Sequence, residues 1–153
     1  MERDIKFLRL AREVSSWAKC SSRKIGAVLV RDNHIISTGY NGAPVGSSMC
    51  QDPNELCLRK AKGYKSGEGL VECPAVHAEV NAIIQAAYEG HPTKGCTIYC
   101  YCCHPCKDCT AAIINAGISR IVCLEGYYDE LSLKLSSEAS QQGRLIVNQY
   151  QID

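Results

Sequence analysis

Apolar residues recur at helical spacing near the start of the chain and then give way to strand-like runs. Residues 4–20 show helical periodicity, with Asp4 placed as an N-cap or first-turn acid, so we predict a helix there. The apolar, β-branched runs 25–30 and 35–40 predict two strands, and turn-forming residues separate them. The first part of the chain is therefore expected to be a helix followed by an antiparallel hairpin.

The second half alternates between helix and strand patterns. The predicted elements, in chain order, are a helix over 75–88, a strand over 97–103, a helix over 106–116, a strand over 120–124, a helix over 129–142 and a strand over 144–147. In the first of these helices, Val80, Ile83 and Ile84 fall on one side. Strands joined through helices pair in parallel. We therefore predict an α/β fold, a three-layer αβα sandwich with a mixed five-stranded sheet, formed by a single domain over residues 1–153.

The stretch 43–73 fits neither pattern and has room for one short helix, predicted at 55–62. A segment of this length is usually functional, or is held by something other than core packing. Four cysteines flank it or lie within it: Cys20, Cys50, Cys57 and Cys73. A structural Zn²⁺ bound by these cysteines would close the loop and tie it to the first helix. The alternatives are His91 as a substitute ligand, or four unrelated thiols.

Charge, hydropathy and cysteine content exclude several classes of protein. A net charge of +1 gives no reason to expect nucleic-acid binding. No apolar run reaches membrane-spanning length, and the charged N-terminus lacks the apolar core of a signal peptide, so we expect a cytoplasmic protein. The 11 cysteines, an odd number without an export signal, argue against a secreted disulfide framework and favour metal binding.

Candidate chemistry lies where two predicted helices begin. His77 and Glu79 open one helix, and Cys106 and Cys109 open another on a shared face. One imidazole and two thiolates leave a fourth tetrahedral position open for water, whose pKa a catalytic zinc lowers to about 7. His-x-Glu followed by Pro-Cys-x-x-Cys is typical of zinc nucleobase deaminases, in which the glutamate moves protons. The alternative is a purely structural zinc site with Glu79 exposed to solvent.

Five segments extend this pattern: 24–30, 39–46, 77–84, 105–109 and 113–118. With them, the chain from about residue 7 to its end resembles the deoxycytidylate (dCMP) deaminase family of the cytidine deaminase superfamily. The zinc motif indicates only the superfamily, whereas the Gly-Tyr-Asn-Gly-x-Pro block at 39–44 narrows it to this family. The resemblance implies a cytidine deaminase-like fold and hydrolysis of dCMP to dUMP and ammonia, which supplies thymidylate synthesis.

The same resemblance implies roles for individual residues. Asn41 would hydrogen-bond the substrate sugar, and the segment around it is associated with regulation by dCTP as activator and dTTP as inhibitor, with Mg²⁺ accompanying dCTP. Ala78 would contact the substrate. Tyr127, followed by Tyr128, resembles a Tyr-Pro-Asp segment that lines the pocket in relatives. A homohexamer is also implied.

For some residues, and for the function itself, the sequence allows more than one interpretation. Arg23 lies in the turn before the first predicted strand, and its guanidinium suits a substrate phosphate, although a solvated cation is an equal interpretation. Relatives carry Thr or Ser near the Pro-Cys pair, where this chain reads Cys100 to His104; we expect His104 to be a pocket wall or surface residue rather than a ligand. A tRNA adenosine deaminase, another cytidine or nucleobase deaminase, and a catalytically inactive zinc-stabilised nucleotide-binding module are the alternative functions.

Overall fold

Within the described residues, 1–127 and 129–153, five strands form one mixed sheet in this computed structural model. The strands are β1 (Gly26–Arg31), β2 (His34–Tyr40), β3 (Thr97–Cys100), β4 (Arg120–Leu124) and β5 (Ile146–Tyr150). Their order across the sheet is β2-β1-β3-β4-β5. β1 is antiparallel to β2 and β3, whereas β3, β4 and β5 run parallel. The predicted mixed five-stranded sheet is confirmed.

Helices cover both faces of this sheet. They are α1 (Glu2–Ser15), α2 (Leu58–Ala61), α3 (Ala78–Tyr88), α4 (Lys107–Asn115) and α5 (Glu130–Gln141), with a 3₁₀ turn at Leu70–Glu72. α1 buries Leu8 and Val14 against one face, whereas α3, α4 and α5 contribute to the core on the other. The three-layer αβα arrangement therefore agrees with the prediction. No helix in the described part of the chain has both the length and the apolar character to cross a membrane.

The turn between β1 and β2 has the geometry of a two-residue hairpin. Asp32 and Asn33 have φ values of 49° and 64°, and Arg31 pairs with His34 across the turn. Positive φ at both central residues matches the twist of the flanking strands. This hairpin places β2 at the sheet edge and leads the chain to Asn41, whose backbone N–H donates to the carbonyl of residue 25.

Close helix–strand contact decides which residues of α3 are buried. A Cβ at Gly39 would lie 2.2 Å from the carbonyl oxygen of Ala78, so α3 lies directly on β2. Only small side chains fit such an approach, and Ala78, Ala82 and Ala86 are fully buried. The side predicted to be apolar is less covered, and Ile84 is 51% exposed.

Several elements end earlier or later than the pattern predicts. α1 stops at Ser15 because the backbone N–H groups of residues 16–18 bond to carbonyls three residues back. Trp17, predicted within the helix, is exposed and lies edge-on to the Tyr40 ring at 6.2 Å. β3 ends at Cys100 rather than at residue 103.

A buried carboxylate joins α1 to the sheet. Asp4 accepts hydrogen bonds from both terminal nitrogens of Arg120, at 2.9 and 2.7 Å, and from the hydroxyls of Tyr99 and Tyr150, at 3.0 and 2.9 Å. Arg120 Nε also donates to Asn148 Oδ1 at 2.7 Å. The hydrogen bond from Arg120 outweighs burial and, with the two tyrosine hydroxyls, lowers the pKa of Asp4 to about 2. The N-terminal helix is thus fixed to β3, β4 and β5 by one carboxylate.

Candidate zinc site

Two helix starts meet beside the sheet. His77 is the N-cap of α3 and Cys106 is the N-cap of α4, both with extended backbone. His77 Nδ1 lies 3.2 Å from Cys109 Sγ and 3.5 Å from Cys106 Sγ. The three ligand atoms all lie within 4.8 Å of one another. The fold thus brings together an imidazole and two thiols from segments about 30 residues apart.

The spacing of these atoms suits a tetrahedral zinc ion. Zn–S bonds of about 2.3 Å and Zn–N bonds of about 2.0–2.1 Å place a ligand nitrogen and sulfur about 3.5 Å apart at tetrahedral angles. The observed N···S distances are 3.2 and 3.5 Å. Cys109 is buried and Cys106 partly buried, while His77 is exposed, so the set can be reached from solvent on the His77 side. Three protein ligands leave one tetrahedral position open.

The charge on Cys106 also favours a metal. The hydrogen bond from Cys109, reinforced by the one with His77, outweighs burial and lowers the pKa of Cys106 to about 4. The hydrogen bond with Cys106 raises the pKa of His77. The same Cys106–Cys109 hydrogen bond, together with burial, raises the pKa of Cys109. Zinc ligands are deprotonated, so zinc binding would release the Cys109 proton.

Glu79 lies in the first turn of α3 and is only 3% exposed. Its Oε1 accepts a hydrogen bond from Cys102 Sγ at 3.4 Å, and the negative charge of the same carboxylate adds to the raised pKa of Cys109. The alternative in which Glu79 is exposed to solvent is therefore wrong. A buried carboxylate next to an open metal position is what proton transfer to and from a reacting group requires.

A second set of candidate ligands consists of Glu79, Cys100 and Cys102. The hydrogen bond with Cys102 lowers the pKa of Cys100, but burial outweighs it and raises that pKa to about 11. The hydrogen bond with Cys100 and burial raise the pKa of Cys102. Glu79 is only 3% exposed and Cys100 is fully buried, so this set is enclosed by protein and is better described as the surroundings of Glu79.

Asn41 is 6% exposed and bridges two backbone groups. Its Oδ1 accepts from the N–H of Ile25 at 2.9 Å, and its Nδ2 donates to the carbonyl of Arg23 at 3.0 Å. A carboxamide has two donor hydrogens and two acceptor lone pairs. These two bonds use half of that capacity and hold the backbone of Arg23 beside the end of β2.

The other predicted substrate residues differ in exposure. Arg23 is exposed, and Tyr127 is 83% exposed. Ala78 is fully buried as the first residue of α3, so it can offer only its backbone. Tyr128 lies outside the described residues.

A polar support behind the Pro-Cys turn was not predicted from the sequence. His104 is buried, with its Nδ1 2.8 Å from Ser132 Oγ. The hydroxyls of Ser132 and Thr110 donate to the Pro105 carbonyl at 2.6 and 3.1 Å. His104 is therefore neither a surface residue nor a member of the His77 ligand set, but part of the support that fixes the backbone before Cys106. The available signal was weak: small hydroxyl residues on the inner faces of α4 and α5.

The four cysteines around the irregular stretch line one cavity of about 30 Å³: Cys20, Cys50, Cys57 and Cys73. Cys20 Sγ accepts from the backbone N–H groups two and three residues later, both at 3.4 Å. Backbone N–H groups at the start of α2 outweigh partial burial and lower the pKa of Cys57. Burial, followed by the negative charges of Glu55 and the other three sulfurs, raises the pKa of Cys50.

These four sulfurs are gathered less tightly than the first ligand set. In residues 1–127 and 129–153, only the His77 set and the Glu79 set bring three candidate ligand atoms within 4.8 Å of one another. His91 is not among the residues that line the four-cysteine cavity.

The αβα fold and the candidate ligand set of His77, Cys106 and Cys109 are typical of the class of zinc-dependent deaminases. Its residues 1–125 match the family model described as the cytidine and deoxycytidylate deaminase zinc-binding region. The chain belongs to this family.

Individual relatives agree with this assignment. The chain is 36% identical to the deoxycytidylate deaminase of Saccharomyces cerevisiae over 89% of its own length and 42% of the yeast protein. It is also 36% identical to the deoxycytidylate deaminase of Mycobacterium phage D29, over 76% of this chain and 89% of the phage protein. The apo dCMP deaminase of cyanophage S-TIM5 shares the fold, with a TM-score of 0.72 and 22% identity over 97% of this chain and 98% of that one. The chain spans less than half the length of the yeast relative.

Proposed function

We propose that this protein hydrolyses dCMP to dUMP and ammonia, a reaction that supplies thymidylate synthesis, and that residues 1–153 act as a single deaminase domain. The observation that carries the proposal is a buried carboxylate, Glu79, beside the ligand set of His77, Cys106 and Cys109. The choice of substrate is supported by relatives from yeast and phages named deoxycytidylate deaminase.

We assign His77, Cys106 and Cys109 as ligands of a catalytic Zn²⁺. When bound there, zinc supplies water that is acidic enough to react near neutral pH. Glu79 accepts one proton from the attacking water and delivers it to the ring nitrogen N3. It then takes the second proton from the new hydroxyl on C4 and passes it to the exocyclic amine. A C4–O bond forms, the C4–N bond breaks and the nitrogen leaves as ammonia.

Substrate contacts are assigned from placement and chemistry. Asn41 has one donor hydrogen and one acceptor lone pair beyond its two backbone bonds, which suit a sugar hydroxyl. Arg23, exposed in the adjoining turn, suits the phosphate because a guanidinium binds phosphate oxygens in pairs. The backbone of Ala78 and the ring of Tyr127 complete the proposed pocket.

A substrate panel tests the proposed function. Purified zinc-loaded protein is expected to deaminate dCMP with a higher kcat/KM than dCTP, cytidine or cytosine, and to leave adenosine in a tRNA anticodon arm unchanged. Ammonia release measures all of these reactions on one scale. Absence of dCMP turnover in protein shown to contain zinc would reject the proposal, and faster reaction with the anticodon arm would favour the tRNA alternative.

We also propose a structural Zn²⁺ bound by Cys20, Cys50, Cys57 and Cys73. The sulfurs of Cys20 and Cys57 accept hydrogen bonds from backbone N–H groups, and such bonds stabilise thiolates. Four thiolates on one zinc ion carry a net charge of about −2, and the buried Arg59 lines the same cavity. Arg59 Nη1 donates to the Glu68 carbonyl at 2.8 Å, so the cation is held in place.

Serine substitution of Cys57 or Cys73 is expected to lower the zinc content from about two ions to about one ion per chain, and to lower the melting temperature, because the loop loses its fixed point. The matched control is Cys103→Ser, a partly buried cysteine outside both ligand sets. Zinc content by elemental analysis decides the outcome. Wild-type protein with a single zinc ion, or variants that keep both ions, would contradict the second site.

Assembly, regulation and location are proposed as follows. Exposed Ile84 and Tyr88 on α3 support an interface in a homohexamer.

Regulation by nucleotides is supported by a surface cavity of about 400 Å³ beside residues 40–47, which would bind dCTP or dTTP. Lys19 is the cation among its lining residues, so Mg²⁺ would arrive with the triphosphate. Eleven cysteines outside any disulfide support a cytoplasmic location. Sedimentation velocity and dCMP kinetics with and without each triphosphate test assembly and regulation.

A further inference from the structure

Cys102 occupies a rigid position at the carboxyl end of β3. Its carbonyl oxygen accepts the backbone N–H of Leu124 at 2.8 Å, and the N–H of the preceding residue, Tyr101, donates to the Gly26 carbonyl at 2.8 Å. The backbone is thus tied to β4 on one side and to β1 on the other. A side chain that starts from such a fixed backbone can hold a partner in one place.

The partner is the carboxylate of Glu79. Cys102 Sγ donates to Glu79 Oε1 at 3.4 Å, within the range of hydrogen bonds to sulfur donors. Cys100 Sγ lies within 4.8 Å of both groups, and Cys100 is fully buried, so the back of the carboxylate is covered by sulfur rather than by solvent.

Glu79 needs such a donor because its side chain has three rotatable bonds, and proton transfer depends on accurate placement. The Cys109 thiol is close enough for the Glu79 charge to affect its pKa, but as a zinc ligand Cys109 would carry no proton to donate. Cys102 is outside the His77 ligand set, so zinc bound there would not take its proton.

We propose that Cys102 is a positioning residue that holds the Glu79 carboxylate toward the reacting base through an S–H···O hydrogen bond. It acts through Glu79 and does not touch the substrate. The proposal rests on the deaminase function proposed above, and it adds a residue to that site whose role is specific to the chemical step.

The test compares Cys102→Ala, which removes the donor, with Cys102→Ser, which replaces it by a hydroxyl. Loss of one hydrogen bond to a charged group is expected to lower kcat for dCMP about tenfold in the alanine variant, with KM and zinc content unchanged. The serine variant is expected to keep kcat within about threefold of wild type, because a hydroxyl donates to a carboxylate at least as well as a thiol. Cys103→Ala, at the neighbouring partly buried cysteine, serves as the control and is expected to match wild type.

A wild-type kcat in Cys102→Ala overturns the proposal, as does an equal loss in the alanine and serine variants or a loss of zinc in Cys102→Ala. Crystal structures of the variants give a readout that does not depend on turnover. Glu79 is expected to keep one side-chain conformation in wild type and Cys102→Ser, and to adopt more than one in Cys102→Ala. An unchanged single conformation in Cys102→Ala also overturns the proposal, whereas failure of wild type to turn over dCMP rejects the proposed function alone.

Discussion

Replacement of Glu79 by glutamine is expected to lower kcat for dCMP by about 10²–10⁴-fold, the usual contribution of general acid–base catalysis. Glutamine has nearly the same shape but cannot accept and return a proton. The zinc content and the melting temperature are expected to stay at wild-type values, because the proposed ligands are His77, Cys106 and Cys109. Steady-state ammonia release and elemental analysis of the same sample measure the two expectations.

A matched control lies on the same helix. Glu89, at the C-terminal end of α3, is exposed, and Glu89→Gln is expected to leave kcat unchanged. Near wild-type turnover by Glu79→Gln would remove Glu79 from the mechanism. Loss of zinc from that variant would instead make Glu79 a metal ligand, against the assignment above.

Replacement of Asp4 by asparagine is expected to destabilise the protein by about 3–5 kcal/mol, the range for removing one partner of a buried ion pair. Asp4 is 5% exposed and accepts hydrogen bonds from both terminal nitrogens of Arg120. The variant therefore leaves the Arg120 guanidinium without the negative charge that it pairs with. Asparagine also replaces one carboxylate oxygen by an amide NH₂, so either Tyr99 or Tyr150, which donate to different oxygens of Asp4, loses its acceptor. Urea denaturation at pH 7 measures the difference.

The pH dependence follows from the lowered pKa of Asp4. A carboxyl whose folded pKa is depressed stabilises the fold above its unfolded pKa and loses this contribution as the pH falls through the folded value. For Asp4 these values are 3.8 and about 2, so the gap between wild type and Asp4→Asn should be constant above about pH 5 and should narrow below pH 3.8. The exposed pair Arg9–Asp153 provides the control, since Asp153→Asn is expected to leave the urea midpoint almost unchanged. Equal effects of the two substitutions would contradict a special role for Asp4.

Local patterns were enough to predict the hairpin and the meeting of two helix starts. Asp32 and Asn33 are residues that tolerate positive φ, and they lie in the predicted turn over 31–34; the pairing of Arg31 with His34 then shortens that turn to two residues. His77, Cys106 and Cys109 belong to short motifs whose spacing follows from the first turn of a helix, so the candidate ligand set could be named before the fold was known.

Features that depend on distant residues could not be predicted in this way. Asp4 and Arg120 are separated by 116 positions, and no local pattern connects a first-turn acid with a strand residue that far away. The buried side of α3 was misjudged for a similar reason. The close approach of α3 to Gly39 favours alanine over larger apolar residues on the buried side of the helix. This contact forms only in the folded chain, so the sequence pattern of α3 alone does not show it.

The position of Cys102 beside Glu79 also depends on the fold. The run from Cys100 to His104 contains three cysteines, and nothing in its order shows which sulfur reaches the carboxylate. The end of β3 at Cys100 and the hydrogen bond from Leu124 to the Cys102 carbonyl decide it.

Anomalous scattering at the zinc absorption edge, from crystals of protein that deaminates dCMP, tests the central claim most directly. A zinc ion at the proposed site would give an anomalous peak about 2.0–2.3 Å from His77 Nδ1 and from the sulfurs of Cys106 and Cys109, with the Glu79 carboxylate beside it rather than bound to it. Active crystals without a peak between these three residues would contradict the account.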